Sequence, residues 1–71
     1  MNHYEVTYTE PFKKHAETDR GGSLKPLLKK VRARIAQSIH GAQAQVELSD
    51  GRERWTVAIY QNKNGKLKKV K

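Results

Sequence analysis

No cysteine occurs among the 71 residues. That excludes a disulfide framework and any thiolate-ligated metal, and it fits a reducing compartment. Long apolar runs are missing too, so no segment reads as a membrane span. The opening MNHYEVTYTE has acids and alternation, not the basic start and apolar centre of a secretion signal. A cytoplasmic protein that does not enter membranes is expected. The length allows one domain, 1–71, whose folding buries a modest share of its surface.

Groups that could carry covalent chemistry are also scarce. The three histidines are His3, His15 and His40. None has metal-ligand spacing to another on one face, so no metal is expected. No serine stands in a nucleophile elbow, and no glycine-rich phosphate loop is present. Gly21-Gly22 before Ser23 reads as a turn into a helix. The expectation is a non-enzyme without a cofactor. A small ribonuclease using His15 with Lys13, Lys14 or Arg20 is the third reading, because acid–base groups beside cations are what RNA cleavage needs.

What the chain has in excess is positive charge, fifteen Lys and Arg against seven acids, net +8. The excess is not spread evenly. Residues 1–22 are net −1, residues 23–40 net +5, residues 41–62 net −1 and residues 63–71 net +5. Two blocks without a single acid are thus separated by near-neutral sequence. Localised charge of this kind concentrates polyanions and speeds encounter with them.

Three segments carry a clear period. Tyr4, Val6 and Tyr8 alternate with His3, Glu5, Thr7 and Thr9, the pattern of a half-buried strand. Residues 11–22 lack a period and read as a loop. From Ser23, a plausible N-cap, to His40-Gly41, apolar Leu24, Leu27, Leu28, Val31, Ile35 and Ile39 recur at helical spacing. They form a stripe roughly 120° wide, predicting an amphipathic helix over 23–40 laid on a core. Asp50-Gly51 is a two-residue hairpin signal, predicting a hairpin over 42–60. That turn sets Glu47 opposite Arg54, Val46 opposite Trp55, Ala44 opposite Val57 and Ala42 opposite Ile59. Asn64-Gly65 is a second turn, placing Tyr60 opposite Lys69. It leads into a lysine-rich strand or tail, 63–71, of the kind that protects a sheet edge.

The fold class expected is α+β, in the order β-α-β-β-β. One helix would cover one face of a mostly antiparallel sheet of 3–4 strands. The core would comprise Tyr4, Val6, Tyr8, the helix stripe, Ala44, Val46, Leu48, Trp55, Val57, Ile59 and Val70. The other face would offer His3, Glu5, Thr7, Thr9, Gln43, Gln45, Glu47, Arg54, Thr56, Ala58 and Tyr60.

A small nucleic-acid-binding protein, for DNA or RNA, is the leading functional expectation. Lys25, Lys29, Lys30 and Arg32 on the helix would meet phosphates, as would Lys66, Lys68, Lys69 and Lys71. Snorkelling of basic residues beside an apolar stripe explains the helix cations equally simply. The absence of acids from 23–40 favours function, since a helix stabilised for its own sake mixes signs at i,i+4. Arg54 and Tyr60 pair a cation with a ring on the open face, suited to bases or sugars. The alternative is a protein-binding regulator or inhibitor docking on an acidic protein partner. Exposed strand edges leave room for a homodimer.

Overall fold

A computed structural model describes residues 2–71; Met1 lies outside the described residues. The elements are β1 (His3–Thr9), β2 (Glu17–Gly21), α1 (Leu24–Ala36), β3 (Gln43–Ser49), β4 (Arg54–Lys63) and β5 (Lys66–Lys69). The class is α+β as expected, but the sheet has five strands, in the order β2-β1-β3-β4-β5. Every neighbouring pair is antiparallel. The helix lies on one face and connects β2 to β3 across the intervening β1, a split β-α-β arrangement. No helix among the described residues is long and apolar enough to cross a membrane.

The extra strand comes from the segment 11–22, expected as a loop. Its second half pairs with β1, from Tyr4 opposite Gly21 to Tyr8 opposite Glu17. The sequence ETDRG has no buried face to create alternation, because β2 is an edge and all its residues are exposed or half-buried. Edge strands of this polarity leave no periodic trace.

The helix is shorter than the 23–40 expected. Ser23 holds the extended N-cap backbone, but its hydroxyl makes no capping bond. Leu27, Val31 and Ile35 are buried, and Leu24 and Leu28 pack against the core from its rim. Ile39, expected on the same stripe, lies beyond the helix and is exposed. What ends α1 is a strand residue. The Asn62 side chain is buried and donates to the carbonyls of Ile35 and Ser38, both at 2.8 Å. Its Oδ1 accepts the Gly65 N–H at 2.9 Å. Its backbone exchanges bonds with Gly41 and Ala42, also at 2.9 Å. Helix end, start of β3 and final turn therefore meet on one amide. Gly41 has φ +92°, and a Cβ there would lie 2.7 Å from the Pro11 ring, so this corner admits only glycine.

The first hairpin differs from expectation in register. Asp50 and Gly51 do not form a two-residue turn; residues 50–53 make a four-residue loop, and Ser49 faces Arg54. Asp50 holds the loop by accepting the N–H groups of Arg52 and Glu53, both at 2.8 Å. Those two bonds, Glu53's first, lower the Asp50 carboxyl below its ordinary 3.8. A bulge then falls between the pairs Leu48–Trp55 and Val46–Ala58. The loop displaces Trp55 by one layer but keeps its face. The bulge adds one residue and reverses every face after it. Val57 and Ile59 therefore leave the core, and Ala58, Tyr60 and Asn62 enter it. Small Ala42, Ala44 and Ala58 form the floor on which the helix rests, beside Val6 and Val46. The second hairpin matches expectation: Asn64 and Gly65 both have positive φ, and Tyr60 pairs with Lys69.

Asn62→Ala removes both donors from the helix-end carbonyls. The expected loss is about 2–4 kcal/mol, a fall in Tm of roughly 10 °C or more in thermal unfolding. Asn62→Asp is expected to be worse at neutral pH, since it aims a carboxylate at two carbonyl oxygens. An unchanged Tm for Asn62→Ala would show that the helix ends without it. Asp50 has a depressed folded pKa, so its stabilisation is fully present above 3.8 and is lost as pH falls through the folded value. The stability difference between wild type and Asp50→Asn in urea unfolding is therefore expected to shrink on acidification.

Candidate nucleic-acid interface

Four of the seven acids, Glu5, Glu10, Glu17 and Asp19, lie on β1, on β2 and between them, and these take up the cations near them. On the open sheet face Glu5 is the centre. Its side chain is only 4% exposed and carries three partners. Arg20 of β2 donates from Nε at 2.9 Å, Arg54 of β4 donates from Nη2 at 2.8 Å, and His3 Nε2 lies 3.5 Å away. Arg54 reaches past β3 to do this. The expected pair of Glu47 with Arg54 is absent, because the loop register sets Glu47 opposite Thr56. On the helix side, Glu17 and Asp19 of β2 face the helix flank that carries Lys30 and Arg34. Lys30 lies 3.9 Å from Asp19, and Arg34 pairs with Glu17. The Arg34 guanidinium also sits 4.1 Å above the Tyr8 ring. Burial raises the Tyr8 phenol, and Arg34 acts against that rise.

The opposite flank of α1 is different. Lys25, Lys29 and Arg32 surround half-buried Leu28 and line an open depression of about 480 Å³. None of them has an acidic partner among the described residues. Helical spacing turns this flank away from β2, toward β4 and β5, both of which the helix contacts. β5 is the lysine-rich edge there. Lys63, Lys66 and Lys68 line a second depression with Asn64 and Leu67. Lys69 lies across from Tyr60, and the Lys71 carbonyl accepts the Ile59 N–H at 3.2 Å. The two basic blocks, some thirty residues apart in the chain, thus lie on two elements, α1 and β5, that contact each other.

The sequence-derived candidates accordingly divide. Lys25, Lys29 and Arg32 form one group, and Lys66, Lys68, Lys69 and Lys71 lie along the neighbouring edge, joined by Lys63. Lys30 and Arg54 are held in ion pairs elsewhere. Tyr60 is 4% exposed and belongs to the core, so its ring is not on the open face. In its place the open face carries Ile59 and Gln61, the latter donating to Gln43 at 2.8 Å. His15 is exposed in the segment before β2. The Glu5 cluster was not foreseen, because its members come from three strands whose order the sequence leaves open. No family model matches the chain, and no curated protein or solved structure matches it.

The Glu5 cluster is asymmetric, with a buried acid and exposed bases. Removing the acid returns two arginines to water; removing the bases strands a carboxylate. Arg20→Ala with Arg54→Ala is therefore expected to lose about 2–3 kcal/mol in urea unfolding, and Glu5→Gln only about 1 kcal/mol. The reverse order would show that the cluster is held from the arginine side.

Proposed function

We propose that the protein is a non-enzymatic nucleic-acid binder that meets phosphates with the β4–β5 side of the fold. The observation that carries this reading is the segregation of charge. Acids on β1 and β2 occupy Lys30, Arg34, Arg20 and Arg54, while Lys25, Lys29, Arg32 and the β5 lysines keep theirs. An unneutralised cation releases a phosphate counterion on binding; one held by a carboxylate must first leave its partner. Affinity is then mainly electrostatic and falls steeply with salt. The contacts would come from Lys25, Lys29 and Arg32 and from Lys63, Lys66, Lys68, Lys69 and Lys71.

A second reading, a regulator docking on an acidic protein, draws on one observation. Trp55, Val57, Leu67 and Val70 are exposed on β4 and in the C-terminal segment that follows it, and apolar groups among cations suit a protein partner with acidic and apolar groups.

Fluorescence anisotropy against labelled DNA and RNA over a salt series tests the first reading. The log–log slope is expected to fall by about 2–3 in the Lys25→Ala, Lys29→Ala, Arg32→Ala triple variant, given roughly 0.7–0.9 per phosphate. Lys30→Ala is expected to change it little. Binding no stronger than that of a generic polycation at low salt would remove the reading.

A further inference from the structure

Among the described residues, one stretch of the sheet has no strand partner on its outer side. β5 pairs with β4 from Lys63 back to Tyr60. Val70 and Lys71 then bond to Ile59 at 2.7 and 3.2 Å. Among the described residues none pairs with the first half of β4, Arg54–Ala58, on that side. Trp55 lies in this half and is 46% exposed. It pairs with Leu48, which pairs with Tyr4, so its side chain is on the helix side of the sheet. The same transverse row ends at Gly21, three residues before α1 begins. The helix start thus lies level with Trp55 along the strands, over β2. The flank it turns toward β4 carries Lys25 and Lys29. The acids Glu5 and Glu47 are on the opposite face; Glu53, in the preceding loop, is the acid nearest in sequence.

An indole ring half out of the core, on the strand that neighbours lysine-rich β5, has the make-up of a stacking platform. Cations draw the backbone, and the ring offers a π-face to any base that can leave its neighbours. A duplex keeps its base faces stacked on one another; a single strand does not. We infer that Trp55 is a base-stacking residue and that the nucleic acid this side takes is single-stranded. The inference rests on the nucleic-acid reading above and narrows it. Trp55 supplies the ring that the buried Tyr60 cannot.

The chain has one tryptophan, so its fluorescence reports this position alone. Wild-type protein is titrated with oligo(dT), oligo(U) and a duplex DNA at physiological salt. Both single strands are expected to quench Trp55 and to bind more tightly than the duplex, which leaves the emission nearly unchanged. Trp55→Ala is expected to weaken single-strand binding on the order of 10- to 100-fold, with Trp55→Phe recovering most of it. The salt slope should be the same in all three proteins, because no phosphate contact is lost. Single strands that bind without quenching, and equally well to Trp55→Ala, would overturn the stacking role and leave the electrostatic reading standing. Tighter binding to duplex with a silent tryptophan would do the same. Absence of binding to all three probes would remove both. The wild-type quenching measurement needs no variant, so it decides even if Trp55→Ala does not fold.

Discussion

The arrangement depends most on one buried amide. Asn62 is a polar side chain at a position where alternation would allow an apolar one, and every atom it could leave unpaired is used. Free helix carbonyls buried against a sheet would be costly, because water cannot reach them. The usual remedy is local, a glycine just past the helix or water at an exposed end. Here the remedy comes from 27 residues downstream. It forces the helix to stop over the far end of β4, and it forces Asn62 to face the helix.

That second demand sets the parity of β4. Ala58 and Tyr60 must then face inward as well, and Trp55 can keep the helix side only if one residue is absorbed between them. The bulge at Val57 absorbs it. Without that residue Val57 and Ile59 would take the places beside Ala44 and Val46 that Ala58 and Tyr60 now hold. The seating of α1 on Ala58 and the departure of Val57 and Ile59 from the core are two results of one added residue.

How much of this was legible in the sequence follows from the same point. Elements with a buried stripe announced themselves: β1, the middle of α1, β3 and the Asn64-Gly65 turn. β2 did not, since an edge without a buried face has no period. The Asp50-Gly51 signal named a turn correctly and its length wrongly. A two-residue turn and a four-residue loop start with the same residues, and the bonds from Arg52 and Glu53 to Asp50 close the longer one. The candidate interface was legible to a similar degree. Charge blocks are a property of composition and survived. Which cations are spent on acids depends on strand order, so Lys30 and Arg54 could not be separated from Lys25 and Arg32. The ring on the open face was misplaced by the parity of a single strand.

The position of β1 has a consequence for how the chain reaches this state. The first strand made is the inner strand between β2 and β3, and its pairing with β3 joins Tyr4 to Leu48 and His3 to Ser49. The β1–β2 hairpin can form early, but on its own it has no apolar layer to settle on. Closing the long loop to β3 costs chain entropy before any buried contact is returned. A sheet built on such distant pairings has high contact order for its size and belongs among the slower folders of its length. On a ribosome, β1 must wait until about forty residues have followed it, with Tyr4, Val6 and Tyr8 uncovered meanwhile. Glu5 and Thr7 between them, which later face away from the helix, keep the waiting strand from presenting a continuous apolar surface.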